Sequence, residues 1–304
     1  MIEYNPYKQM ELFDEIDSEK QILMGWTKIT NGHTFKEYYS NIDVAEYFNS
    51  LIYAQHSKIY FKIIDGILFF AKPVFNFNTY TITIYTNPIS LKTNDVVEES
   101  LLRDFVDNGF AIRGNYEGGV QDKFGGEFIY DCDEFVAMEG SRYSNLRHRM
   151  KPYFKNHKDY NISYGDNQDI AAIIDYWCNL KNNYSQKRLY ETILKNQEKC
   201  LIATTYLREK PIGFSVFESI NHKNSIAIQR LINYESLQVG EPNFILHYHD
   251  CLLNKGKLLN TGGSRTSEIK VAKEKLRPIF LLDVRRIKST TKITKEDYTL
   301  IKTK

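Results

Sequence analysis

The sequence is poor in cysteine and proline, has no long apolar run and carries almost no net charge, and each scarcity removes a class of explanation. Four cysteines, Cys132, Cys178, Cys200 and Cys251, are spread along 304 residues, with no CxxC pair and no histidine at metal-ligand spacing. That argues against a disulfide framework or a zinc site and leaves four reduced, mostly buried thiols. No stretch approaches the ~20 apolar residues that cross a bilayer. The opening segment "MIEYNPYKQMELFDEIDSEK" is acidic and polar where a secretion signal is basic and then apolar, so a cytoplasmic protein is expected. The net charge of +2 does not by itself imply a nucleic-acid partner; only local charge clusters can do that. There is no low-complexity segment, and no Ser-His-Asp or Cys-His signature of covalent catalysis.

What is present is the make-up of a globular chain, 42% hydrophobic, 26% charged and 14% aromatic, long enough for one large domain or two average ones. Asn5 and Pro6 open a helix whose apolar side is Met10, Leu12, Phe13 and Ile16. A second helix is expected over 41–55. The period then changes. Residues 58–75 read as two strands around an Asp65-Gly66 turn, and 79–87 alternates as a third strand. A capped helix follows over 94–110, ending near Gly109, and the strands "FAIRGNY" and "GGEFIYDCD" close this half. After a break the plan returns. Helices are expected over 167–183 and 184–196, a three-strand meander over 200–233, a helix over 242–256, a strand over 257–261, a helix over 267–276 and a strand over 279–287.

The break is residues 141–158, "SRYSNLRHRMKPYFKNHK", with eight potentially cationic residues and no acid. It reads as a linking helix that Pro152 kinks or interrupts unless it opens a new turn. Arg142, Arg147, Arg149, Lys151 and Lys155 form either a solvated, salt-bridged face or a clamp for the phosphates of tRNA, DNA, a lipid head group or a coenzyme. Arg285, Arg286 and Lys288 pose the same choice on a smaller scale. His247 and His249 stand two apart, which points them to different faces, one at the core edge and one toward solvent, and prevents joint chelation of a metal.

The order of elements over 168–288, with the passage "REKPIGFSVF" and its Pro-hydrophobic-Gly triplet before an apolar strand, resembles the GNAT acyltransferase fold. Two tandem copies joined by a basic segment resemble the Fem-type aminoacyltransferases and the catalytic region of phosphatidylglycerol lysyltransferases. In those proteins a Gly-Gly-Ser or related turn precedes a helix with an internal lysine; here these are Gly262, Gly263, Ser264 and Lys273, with Leu276 beyond. The resemblance implies an α+β fold of two tandem GNAT-like domains, each a mixed, mostly antiparallel sheet flanked by helices. Residues 1–140 would be an N-terminal scaffold and acceptor platform, 141–160 the basic linking helix and 161–304 the catalytic domain. Acetyl-CoA-dependent members carry a longer glycine-rich loop at the junction that here reads "YESLQVGEPNF"; Gln238, Val239 and Gly240 keep part of it. Glu241 repels a diphosphate and Pro242 lacks an amide, so aminoacyl-tRNA joins acyl-CoA as a candidate donor.

Acyl transfer to an amine requires alignment, a polarised carbonyl and a neutral nucleophile, and a general base adds about 10²–10⁴-fold. The expected centre is the end of the central strand, with Glu235 as base and Tyr234 beside it. Gln238, Val239, Gly240, Asn243, Gly262, Gly263, Ser264 and Lys273 are expected to hold the donor, and Arg142, Arg147 and Arg149 the anionic partner or acceptor. Ser264 and Thr266 would cap the helix after the glycines, and Lys273 would meet a phosphate or carboxylate. No metal or tightly bound cofactor is expected, only acyl-CoA or aminoacyl-tRNA as co-substrate, with a small-molecule, lipid or peptide acceptor. A nucleic-acid-modifying transferase of the same fold and a catalytically silent binding module remain as alternatives; the silent module requires the cleft between the halves to be filled by side chains.

Overall fold

The computed structural model describes residues 26–33, 35–76, 79–93, 111–114, 120–121, 126–233, 242–264, 266–287 and 293–294. The helices expected over 5–16 and 94–110 lie outside them. Two mixed sheets, each with helices beside it, carry the fold.

In the first half β1 (Thr27–Lys28) precedes helix α1 (Leu51–His56), and β2 (Tyr60–Ile64) turns into β3 (Ile67–Asn76). That turn is made at Asp65 and Gly66, with φ of 50° and 75°, the pair of positive angles a tight hairpin demands. β4 (Thr79–Ser90), β5 (Ala111–Gly114), β6 (Val120–Gln121), β7 (Glu127–Asp131) and α2 (Cys132–Ala137) follow. The basic segment is α3 (Ser144–Lys155), and the second half runs β8 (Tyr160–Tyr164), α4 (Gln168–Lys181), α5 (Ser185–Leu194), β9 (Cys200–Leu207), β10 (Lys210–Ser219), β11 (Asn224–Ile232), α6 (Pro242–Leu253), β12 (Leu258–Asn260), α7 (Ser267–Lys275), β13 (Phe280–Leu282), β14 (Arg285–Ile287) and β15 (Ile293–Thr294).

The helix expected over 41–55 is instead a 3-10 turn, Tyr47–Asn49, followed by the short α1. Polar side chains divert the backbone. The Asn49 Oδ1 takes the Glu46 N–H at 2.7 Å, and Ser50, extended at φ −66° and ψ 121°, caps α1 through the Tyr53 N–H. Pro152, by contrast, lies inside α3 without ending it. It and His148 are both exposed, so water can take the carbonyl that the missing N–H leaves. Leu146, Met150 and Tyr153, at helical spacing, bury one side of α3 in the core that also holds Phe244 and Cys251 of α6.

The sheets do not divide where the chain does. The first has the order β1-β2-β3-β4-β5-β14-β6, with β15 beside β4; the second has β13-β7-β12-β11-β10-β9-β8. β7, expected to finish the first half, therefore lies between β13 and β12 of the second sheet. The single strand expected over 279–287 breaks at Asp283 and Val284, so that β13 pairs with β7 and β14 crosses to β5. Gly126 permits that crossing, since a Cβ there would lie 1.5 Å from the Leu282 carbonyl oxygen. One apolar cluster joins the halves, with Phe35, Phe48, Phe70 and Ile89 of the first meeting Ile220 and Ile226 of the second. A polar clasp reinforces it. Glu218 of β10 accepts the Ser50 hydroxyl at 2.6 Å and the Leu51 and Ile52 N–H groups, a carboxylate at a helix start supplied from the other half.

Candidate functional site

β11 and β12 are parallel but pair over three rungs only, Asn224 with Leu258, Ser225 with Leu259 and Ile226 with Asn260. β11 then runs on to Ile232 without its neighbour. Just past the last rung its register with β10 slips. Val216 faces Gln229 and Phe217 faces Ala227, which leaves Ile228 as a bulge. A bulge turns backbone groups out of the ladder, and the Ile228 carbonyl accepts the Tyr47 hydroxyl at 2.6 Å. Tyr47 comes from the first half. Its ring lies on Gly262, where a Cβ would stand 2.8 Å from the ring, and its N–H donates to Glu127 Oε2 at 2.7 Å. The same oxygen accepts Asn260 Nδ2 at 2.7 Å, and Arg113 approaches the other carboxylate oxygen at 3.6 Å with its guanidinium 4.5 Å from the Phe48 ring centre. Glu46 beside them is buried. Desolvation, helped by Glu127 and opposed by Arg113, raises its pKa to about 8.

The Gly-Gly corner is knotted by its own neighbours. Asn260 Oδ1 accepts the Gly262 N–H at 2.6 Å, and Gly262 takes the φ of +69° that suits glycine. Thr261 and Gly262 exchange backbone bonds with Phe128 of β7. Lys273 Nζ donates to the carbonyls of Thr261, Gly262 and Gly263 at 2.5, 2.9 and 2.9 Å, so all three ammonium hydrogens are used inside the fold. Burial, and after it the Arg230 guanidinium, pull its pKa down to about 7. The anion contact expected of Lys273 is replaced by this staple. Thr266 caps α7 through the Ile269 N–H at 3.3 Å; Ser264, expected to share that task, is instead buried, with an Oγ that has no hydrogen-bond partner among the described residues.

Near the corner, the start of α6, one side of α7 along its length and the middle of α3 line an open groove of about 460 Å³. Its walls include Arg149, Asn243, Phe244, Ser267, Val271 and Lys275, with Glu268 at the mouth of α7. A smaller recess of about 210 Å³ continues it past Leu146 toward Arg277. Two of the expected residues, Arg149 and Asn243, are thus brought together although they stand far apart in the chain.

Other expected residues are used differently. Arg147 donates to the Met138 and Gly140 carbonyls and holds the turn before α3. Arg142 meets Glu134 at 3.3 Å and the carbonyls of Arg277 and Pro278. Of the three arginines Arg149 alone lines the groove. Both histidines are buried, contrary to the expectation that one faces solvent. His249 bonds the Tyr153 hydroxyl at 2.7 Å, and burial lowers its pKa to about 4. His247 is packed between Tyr130 and Phe135, and burial, then Arg230 and Lys273, lower its pKa too. Arg230 pairs with Asp250 at 3.0 Å and donates to the Asn243 carbonyl at 2.7 Å, fixing the start of α6; burial raises the Asp250 pKa to about 6 against the pull of Arg230. Tyr234, Glu235, Gln238, Val239 and Gly240 lie outside the described residues. Tyr47, Glu127 and Asn260 were not singled out from the sequence, where nothing distinguishes them from other tyrosines, strand acids and loop amides.

No protein-family model matches the chain, and no curated protein sequence does. Solved structures do. A conserved protein of unknown function from Bacteroides thetaiotaomicron is 14% identical, with 86% of this chain and 98% of that one covered and a TM-score of 0.69. The C-terminal domain of a protein named as a lysylphosphatidylglycerol synthetase from Agrobacterium fabrum is 11% identical over 90% and 96%, at 0.55. L-PGS from Bacillus licheniformis is 12% identical over 83% and 90%, at 0.53. At such identities the likeness is one of fold: an α+β architecture of two mixed sheets flanked by helices, shared with these proteins.

Proposed function

We propose that the chain moves an acyl or aminoacyl group from an activated donor to an amine or hydroxyl acceptor. The observation that carries this reading is the departure of β11 from β12 at the Ile228 bulge, on a strand whose Arg230 also holds the Asn243 carbonyl at the groove lined by α6 and α7. Departing strands offer backbone groups to a carbonyl, and Arg149 and Lys275 bring positive charge to the groove against the single acid Glu268. In this reading the donor lies in the groove with its reactive end toward Ile228. Acyl-CoA and aminoacyl-tRNA are the two donor classes, and Glu235 is the general base. Glu235→Gln is then expected to lower turnover at least about tenfold with folding intact.

The test is direct. Purified protein is supplied with labelled acetyl-CoA or with tRNA charged with labelled amino acids, together with amine, peptide and lipid acceptors, and labelled products are identified by mass spectrometry. Transfer from neither donor removes the reading. A silent binding module is the competing reading, and one observation favours it: the Tyr47 ring stands between Ile228 and Gly262, where an acyl group would need room.

A further inference from the structure

Tyr47 is held at three points that belong to different parts of the molecule. Its N–H is fixed on Glu127 of β7, its hydroxyl on the Ile228 carbonyl of β11, and its ring on Gly262 after β12. The ring of Tyr53 stands edge-on to it, with centroids 4.2 Å apart. The side chain thus spans the gap between the two departing strands, touching one with its oxygen and the other with its face. It is only partly buried, so solvent reaches it. Its anchors differ in kind. Glu127 is itself held by Asn260 and Arg113, and Gly262 by Lys273 and Asn260, whereas the hydroxyl rests on a bulged carbonyl that has a second lone pair. The phenol end is therefore the anchor on β11, a single 2.6 Å bond to an acceptor that a ligand's own donor can take over.

We propose that Tyr47 determines which ligands enter the space between β11 and β12: its ring is an exchangeable occupant that a bound donor replaces. The proposal rests on the acyl-transfer reading of this site. The ligand it selects is slender enough to pass between Ile228 and Gly262, and it carries an N–H or O–H donor that takes over the Ile228 carbonyl. A bulky or donor-free chain cannot recover the lost phenol bond. The first half then selects ligands through this residue, because Tyr47 reaches the strands of the second half from the turn before α1. Gly262 is glycine for the same reason, since any side chain there would push the ring aside.

Equilibrium binding of acetyl-CoA and of bulk aminoacylated tRNA to the full chain, by calorimetry or fluorescence, tests the idea with Tyr47→Phe and Tyr47→Ala. A side chain that only supports the fold weakens binding when trimmed; an occupant that must leave strengthens it. The expected result is tighter binding of at least one probe by Tyr47→Phe, by about twofold to twelvefold, the range of one net hydrogen bond, and further tightening by Tyr47→Ala. Should the alanine variant fail to fold, Tyr47→Phe keeps the ring and carries the test alone. Unchanged or weaker binding overturns the proposal, as does the absence of binding to every variant. The label-transfer assay on the unaltered chain keeps the two ideas apart. Transfer without tightening leaves the transferase and sinks the exchangeable tyrosine, while tightening without transfer does the reverse.

Discussion

The two sheets contain the same device and use it differently. In the first, β4 and β5 are parallel and pair over Thr83, Ile84 and Tyr85; in the second, β11 and β12 pair over Asn224, Ser225 and Ile226. Around the first pair Phe69, Ala71, Ile84 and Ile112 pack together, and Thr83 and Arg113 of the pair itself are buried with them. Around the second, Thr205, Ser215, Gln229, Arg230, His247, His249 and Asp250 are all buried or nearly so. Apolar packing is the cheaper way to hold strands, because every buried polar group must be satisfied to break even. A core that retains so many of them is organised for position and charge. Among the described residues the second sheet thus holds the larger share of buried polar side chains, which is where the proposed transfer would place its site.

This contrast can be broken experimentally. The largest effect is expected from Arg230→Met, which leaves Asp250 buried without its cation and frees the start of α6. Urea unfolding should show a loss of about 3–5 kcal/mol, and a loss below 1 kcal/mol would place the pair outside the stabilising network. Gly262→Ala is next, at about 2–3 kcal/mol from the left-handed backbone and the collision with Tyr47. Restoration of stability in the double variant Gly262→Ala, Tyr47→Ala would show how much of that cost is the ring. Ile84→Val in the first sheet should cost about 0.5–1.5 kcal/mol and leave donor affinity of the folded protein unchanged; a shift in affinity would end the division of labour argued above.

Two smaller effects sharpen the comparison. Glu46 has a folded pKa raised to about 8 from an ordinary 4.5, so its contribution to stability is fully present below pH 4.5 and is lost as pH rises toward 8. Glu46→Gln should flatten the fall in melting temperature across that window; an unaltered slope would assign the fall to other groups. Arg149→Ala should weaken acetyl-CoA binding about twofold to fivefold, the scale of one exposed ion pair, and reduce its salt dependence.

Much of this plan can be read in the sequence, and the parts that cannot share a cause. The meander over 200–233 shows because Ile, Val and Phe alternate with polar residues there, and the Asp65-Gly66 turn because only certain residues accept both angles. The Gly-Gly corner also shows, since glycine marks a backbone need. What stays hidden is partnership at a distance. "EFIYD" reads as a strand, yet nothing local says that Leu258–Asn260 and Phe280–Leu282 flank it. Lys273 and Arg147 read as cations awaiting anions, although each is satisfied by carbonyl oxygens, which every residue owns and no sequence displays. Tyr47 is one tyrosine among 22, so its meaning lies in what stands around it.

The exchange of strands between the sheets also sets a timetable for synthesis. β5 reaches its neighbour β14 only after residues 285–287 have been made, and β7 waits for β12 and β13. A ribosome that has released the first half has therefore produced a sheet with an open edge and a strand destined for another sheet. Exposed edges invite pairing with other chains, and long-range pairing closes slowly. The nascent first half keeps that open edge until the last strands emerge, and fragments cut near residue 140 are expected to aggregate while the intact chain does not.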